Sequence, residues 1–427
     1  MFAENKKLAF TNCNIVSVHD GSVLHNSTIV VEDGMIIEVS QINVSHLHEV
    51  VAMDMSGLWV MPGIIDLHVH FCEEPDPKLA TGFLLEETPL FTGFRALRNL
   101  RESINYGITT VRDAGAYDAR NLAVREAVEN GIICGPEIKA CGFLITYPEG
   151  HSHKHGIQIR GVAQARDAVR KNAELGVDFI KVTNDPQDNE AKNRPIDPTF
   201  TTDEFSSLVD EAHSRGLKVA CHTFPSESGL NNALDAGVDT LEHAVPLNDK
   251  ILERFLSQDV IIVPTFVAAY DEFSIKYVTQ RVELDLVRTH RYDSTNYPKG
   301  SLSFLRPQGV PESIVIWFDY LVEYLPKAIM NGVQIGIGTD AGCAGTNFRS
   351  AIREMFFLTQ FGSTNLQVLQ YATLIGAKAI GEDNWLGQIA PGYKANFIFL
   401  KQNPIVNLDT LLEVQAVVVN GKSINKV

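Results

Sequence analysis

Apolar residues recur along this chain with two different periods. In LAFTNCNIVSV, STIVVEDGMIIEVS and HEVVAMDMSG they alternate with polar residues or gather in β-branched clusters, separated by DG and SG turn signals. No helical period appears before residue 61. The same texture returns near the end, where ANFIFLK and VQAVVVNGKSI read as strands around a turn at Asn420-Gly421. Two β-rich ends flanking a long middle predict one small β-sandwich domain assembled from residues 1–61 and 390–427.

The middle, residues 62–389, alternates strand-like apolar runs with amphipathic helical stretches. The runs are IIDLHVHF (64–71), ITTVRD (108–113), EIKACG (137–142), VDFIKV (177–182), LKVACH (217–222), VDTLEH (238–243), VIIVPTF (260–266) and VQIGIGTD (333–340). FRALRNLRESINYG, VAQARDAVRKNAELG and TDEFSSLVDEAHSRG are helix candidates between them. The last opens at Thr202 and has Gly216 behind it, a start and stop pair. Eight strands alternating with helices predict an α/β fold, a (β/α)8 TIM-like barrel. A doubly wound open sheet is the rival. It is disfavoured because no GxGxxG dinucleotide fingerprint is present.

Composition narrows the partners. The 427 residues are 45% hydrophobic and 21% charged, ordinary for a globular chain and not for a disordered one. With Lys+Arg at 36 and Asp+Glu at 52, the net charge of -16 argues against nucleic acid and anionic membranes. The expected partner is a small-molecule substrate, and self-association into a homo-oligomer is compatible with the sequence. MFAENKKLAFTNCNIVSV has no continuous apolar core of a signal peptide. The most apolar stretches, Val260–Ala269 and Leu58–Ile65, fall short of the roughly 20 residues that cross a bilayer. Six scattered cysteines without a CxxC pair fit reduced thiols, so a cytoplasmic location is expected.

The chemistry is written at the strand ends. His68 and His70 close the first run, Lys181 nearly closes the fourth, His222 the fifth, His243 the sixth and Asp340 the eighth. In a barrel these ends converge on one face. His68 and His70 are two apart on a strand, so both point to the same side. Four imidazoles are enough for one divalent cation with an open position, or for sharing between two. Asp340 can ligate. It can also take a proton from water that a metal has acidified to a pKa near 7, and deliver it to a leaving group. Lys181 is unwelcome beside cations as an ammonium. As a neutral amine it can react with carbon dioxide, giving an anionic carbamate ligand able to bridge two ions.

Each of these has a blander reading. A lone strand-end His is more often a satisfied polar residue than a ligand, and Lys181 could simply bind substrate or pair with an acid. Four His and an Asp on five strand ends make coincidence a poor account. GHSHKHG places His151, His153 and His155 after the third strand, either as a solvated loop or with one His facing substrate. The remaining His (19, 25, 46, 48, 213 and 290) read as ordinary residues, and Cys221 as packing turned away from His222.

PGIIDLHVHF resembles the first-strand signature of the amidohydrolase superfamily. VDFIKV, LKVACH, GVDTLEHAVPL and GIGTDAG resemble its later strand-end motifs in the right order, and LGQIAPGYKANFIFL its return to the small β domain. The likeness spans nearly the whole chain. It is nearest to the imidazolonepropionase-like and metal-dependent prolidase or Xaa-Arg/Lys carboxypeptidase branch. It implies a distorted barrel with a composite β-sandwich and one or two divalent ions, usually zinc. In the two-metal form, His68, His70 and Asp340 hold one ion, His222 and His243 the other, and carboxylated Lys181 bridges them. In the one-metal form a subset suffices. His151 sits where this branch places a substrate-contacting His. The chain departs from the pattern at VTNDPQDNEAKNRP after Lys181, where relatives are Gly-rich, and at HTFPS, where relatives read HAHG. Both departures lie on the substrate face.

The expected activity is hydrolysis of a carbon–nitrogen bond (amide, lactam or dipeptide-like) by metal-bound hydroxide, with Asp340 shuttling the proton. A deaminase of a heterocycle is the enzymatic alternative. A non-catalytic ligand-binding barrel is the alternative of another class.

Overall fold

Left-handed backbone at Asp33-Gly34 and Asn420-Gly421 makes the two hairpin turns that shape the terminal sheet. In this computed structural model the described residues are 7–41, 50–76, 87–185, 200–224, 226–270, 312–343 and 345–424. β1 (Lys7–Val16), β2 (Val23–Glu32) and β3 (Met35–Ser40) form an antiparallel meander, with β4 (Val50–Asp54) and β5 (Trp59–Pro62) parallel to β1. The C-terminal strands join this sheet: Phe397–Leu400 pairs antiparallel with β5, and Ala416–Val419 and Lys422–Ile424 extend it. Alternation puts Phe10, Phe397 and Phe399 on one face, where their rings meet 5.2–5.7 Å apart.

Gly63 separates β5 from the first barrel strand, β6 (Ile64–Val69). The ring continues through β7 (Ile108–Asp113), β8 (Glu137–Ala140), short β9 (Ile145–Thr146) and β10 (Ile157–Gln158), β11 (Phe179–Thr183), β12 (Lys218–His222), β13 (Thr240–Glu242) and β14 (Ile261–Val263). β6, β7 and β8 pair in parallel, as do β11 to β14. The Asp178 amide donates to Ala140 O at 3.0 Å and joins the two sets.

The eighth run is the exception. Residues 333–340 form no regular strand, yet they close the ring: Leu67 N–H donates to Ile337 O, Gly336 N–H to Ile262 O, and Asp340 N–H to His68 O. The alternating glycines explain the fit. A Cβ at Gly336 would lie 2.3 Å from Leu67, and one at Gly338 2.3 Å from Val263. The barrel of the expected fold is therefore present, with a tightly apposed eighth segment in place of a regular strand.

The helices follow the expected pattern. α1 (Pro89–Asn105), α2 (Arg120–Glu129), α3 (Val162–Glu174) and α4 (Thr202–Ser214) alternate with these strands. The cap of α4 is Thr201 rather than Thr202. Thr201 and Glu204 satisfy each other's backbone amides in a capping box, and this fixes where the helix starts. His46, His48 and His290, residues 186–195 of the polar loop and Pro225 of HTFPS lie outside the described residues. Among the described residues no helix is long and apolar enough to cross a membrane.

Candidate metal centre

The parallel ring delivers its strand ends to one mouth, and the anticipated side chains gather there. His68, His243 and Asp340 are buried and offer ligand atoms within 4.8 Å of one another. His70 also reaches Asp340, with Nε2 3.3 Å from Oδ1, and His68 Nε2 lies 3.4 Å from the same oxygen. His222 stands beside His243, their rings 4.3 Å apart, and stacks on His151 at 4.3 Å. Lys181 is buried in the middle of β11. Of the other two loop histidines, His155 is buried against Tyr117, while His153 bonds Gly150 O through Nδ1.

Three of the four imidazoles, those of His68, His70 and His243, are held by a hydrogen bond on Nδ1. His68 Nδ1 donates to Glu242 Oε2 at 2.7 Å, and His70 Nδ1 to Gly115 O at 3.0 Å. His243 Nδ1 meets Thr265 Oγ1 at 2.6 Å, and His222 Nε2 lies 3.3 Å from Asp185 Oδ2. Such partners fix tautomer and ring orientation at metal-binding histidines. The motif reading left these partners out. Glu242 is also held by Arg112, whose Nη2 donates to Oε1 at 2.7 Å while Nε donates to Leu67 O at 2.6 Å. Asp113 accepts the Phe71 and Gly115 amides and so sets the carbonyl that receives His70. Asp66 accepts both the amide and the hydroxyl of Thr339, immediately before Asp340. The signal for all of these was present: Asp66 in DLHVH, Arg112-Asp113 in TTVRD and Glu242 in LEH are charges inside otherwise apolar runs.

The backbone is strained where these groups converge. His243, Ala244, Thr265 and Asp340 all adopt positive φ, at 64°, 52°, 49° and 56°. Non-glycine residues in that region cluster at functional sites, where the surrounding structure holds them.

Electrostatics favour neutral imidazoles at His68, His222 and His243 beside an anionic Asp340. Burial holds His222 and His243 well below the usual range and His68 at about 4. His70 is different: burial lowers it, but the Asp340 carboxylate outweighs burial and lifts it to about 9. Burial alone would raise Asp340, yet His68, His70 and His243 together hold it well below the usual carboxylate value. Burial also lowers Lys181, only partly opposed by the Glu242 charge.

These residues fit a divalent metal. Lys181 Nζ is buried with no hydrogen-bond partner among the described residues, an expensive arrangement for an ammonium. Buried imidazoles and a carboxylate are the donor set that zinc-type ions take. Residues 59–424 match the model of the Amidohydrolase family.

The chain belongs to the amidohydrolase family.

This amidohydrolase is 24% identical to the ochratoxinase of Aspergillus niger over 449 aligned positions, covering 97% of this chain and 85% of that one. A crystal structure of a Xaa-Pro dipeptidase with methionine in its active site superposes with a TM-score of 0.80 at 24% identity, covering 98% of this chain and 100% of the other. Molinate hydrolase superposes with a TM-score of 0.75 at 19% identity, covering 100% and 96%. These structural likenesses show the shared barrel with its β-sandwich. The family match makes the chain a metal-dependent hydrolase acting on carbon–nitrogen bonds.

Proposed function

We propose that this amidohydrolase cleaves an amide, lactam or dipeptide-like bond in a small substrate, with His68, His70, Lys181, His222, His243 and Asp340 as its metal-binding set. The observation that carries this reading is the buried group of His68, His243 and Asp340, whose ligand atoms lie within 4.8 Å of one another. Lys181 Nζ, buried without a hydrogen-bond partner among the described residues, supports a carbamate there. Burial lowers the pKa of that amine and so favours the neutral form that attacks carbon dioxide. The N,O donor set favours zinc. The six cysteines, none in a disulfide, suit the reducing cytoplasm. Pairing of Phe397–Leu400 with β5 supports taking residues 1–61 and 390–427 as one unit and 62–389 as the barrel.

A divalent ion bound in this set would polarise the scissile carbonyl and acidify water. The chain's own groups do the rest. Asp340, anionic and 12% exposed at the mouth, accepts a proton from the water whose oxygen attacks the carbonyl carbon. As the C–N bond breaks, Asp340 returns that proton to the leaving nitrogen, and the products are an amine and a carboxylate. His151, about a quarter exposed and stacked on His222, contacts the substrate from the loop after the third strand. Trp317 packs its ring 5.3 Å from that of His243 and excludes water on that side.

The full chain loaded with zinc and offered dipeptides, N-acyl amino acids, lactams and aminated heterocycles tests the reading. New amine plus carboxylate is the expected product pair. Ammonia from a heterocycle would establish the deaminase instead, and full metal loading without turnover would establish a binding module.

A further inference from the structure

Four ring contacts run in a row across the barrel mouth. His151 stacks on His222 with centroids 4.3 Å apart, and His222 meets His243 at 4.3 Å. Trp317 packs on His243 at 5.3 Å, and Phe224 on Trp317 at 5.2 Å. The two ends of the row differ in chemistry. At one end, His151 lies on a loop that also carries His153 and Lys154. At the other, Phe224 and Trp317 are buried and join the main apolar core. Phe224 comes from HTFPS, one of the two departures from the family pattern on the substrate face. Trp317 comes from the helix Glu312–Met330, which follows the seventh strand in the chain.

Trp317 holds an unused donor. Its Nε1 is buried and has no hydrogen-bond partner among the described residues. A buried indole N–H usually finds an acceptor, and leaving one unpaired is costly. The ring stands against His243, so an acceptor arriving with the substrate can complete the bond. The donor is neutral and its neighbour Phe224 is apolar. A carboxylate placed there would lose hydration and gain no counter-charge from the indole, whereas a carbonyl or ether oxygen loses far less. Resting on the amide-cleaving reading above, we propose that Trp317 and Phe224 form a specificity subsite for the acyl side of the substrate. It takes a large apolar acyl group, best an aromatic one, whose neutral oxygen accepts from Trp317 Nε1.

The polarity of the row decides which flank of the substrate goes where. His222 and His243 stand at its centre, so the scissile bond lies between the two ends. In an N-acyl amino acid the carboxylate is on the amine side of that bond. The His151 imidazole and the Lys154 charge suit a carboxylate, which leaves the acyl group to the indole. Trp317 meets Phe224 at 66° and His243 at 87°. Aromatic rings favour such edge-on contacts, and a substrate ring extends the same series. The proton path through Asp340 uses neither residue. Trp317 and Phe224 therefore act on which substrate binds.

The test uses the full zinc-loaded chain and glycine amides that differ only in the acyl group: N-acetyl, N-benzoyl and the three N-(methoxybenzoyl) isomers. Wild type prefers benzoyl over acetyl by about 10–100-fold in kcat/KM, the scale of burying one aromatic group. At least one methoxy isomer exceeds plain benzoyl by about fivefold, the scale of one net hydrogen bond. Phe224→Ala cuts the benzoyl-to-acetyl ratio, and Trp317→Phe, which keeps a ring and removes the donor, abolishes the methoxy preference. Ratios within one variant cancel changes in metal loading or active fraction, so a partly misfolded variant still reports. A second readout needs no turnover. Of the three tryptophans, Trp59 is in the terminal sheet and Trp385 is exposed, so anisole binding at the mouth shifts the intrinsic fluorescence of wild type but not of Trp317→Phe. Equal kcat/KM for acetyl and benzoyl, or a benzoyl preference that survives both substitutions, would overturn the subsite and leave the hydrolase reading intact. No turnover of any amide would overturn the hydrolase reading instead, and an unshifted wild-type fluorescence would then overturn the subsite as well.

Discussion

His68 and Glu242, 174 residues apart, share a buried hydrogen bond of 2.7 Å that ties the end of the first barrel strand to the end of the sixth. Through its other oxygen the same carboxylate holds Arg112, which also grips the Leu67 carbonyl, so one buried network spans three strand ends. The His68 ring is thereby aimed at Asp340 before any ligand arrives.

Glu242→Gln keeps the shape of this link and removes its charge. Metal affinity is expected to fall about 10–100-fold. Leaving Arg112 with an uncompensated buried charge lowers stability by up to about 3–5 kcal/mol. Metal content after dialysis and a thermal melt check both. Unaltered metal retention would show that Glu242 serves folding alone.

Asp340→Asn tests the proton shuttle. Asp340 adopts φ 56°, a region Asn tolerates nearly as well, so the fold and bound metal persist. Turnover falls by about 10²–10⁴. A variant within a few-fold of wild type in kcat would remove Asp340 from the proton path.

Lys181→Ala replaces the buried amine with a small void. Bound metal drops, and a short-chain carboxylic acid added to the buffer restores part of it by supplying the missing oxygens. Metal stoichiometry equal to wild type would exclude Lys181 as a ligand.

Glu354 gives a pH signature away from the site. It is fully buried, accepting the Phe266 and Val267 amides, and burial raises its pKa from 4.5 to about 8. Below 4.5 the carboxyl is protonated in folded and unfolded chains alike. Between 4.5 and about 8 the folded chain keeps a proton that the unfolded chain has lost, so stability falls as pH rises through that window and levels off above it. Glu354→Gln flattens this contribution, which melts of both proteins from pH 5 to 9 will read. Parallel curves would place the carboxyl's ionisation outside that window.

The ring of strands was legible because parallel strands buried on both faces read as continuous apolar runs, and their terminal polar residues stand out against that background. Asp340 and the four strand-end histidines surfaced this way. Glu242, Arg112, Asp113 and Asp66 did not, although they lie within the same runs, because an inward-facing charge announces nothing about its partner. His68 finds Glu242 only once the first and sixth strands meet across the barrel. The irregular eighth segment was hidden for a similar reason. Gly336 and Gly338 read as a strand, yet their function is to let Leu67, Val263 and His68 approach. Asp185 followed a strand in a polar loop, and only folding carries it to His151 and His222.

The most direct measurement is anomalous diffraction at the zinc edge from crystals of the full chain grown with zinc. A peak is expected within bonding distance of His68, His243 and Asp340, the three buried side chains whose ligand atoms already converge. Zinc-soaked crystals with these three side chains ordered and no anomalous density between them would contradict the metal-dependent reading.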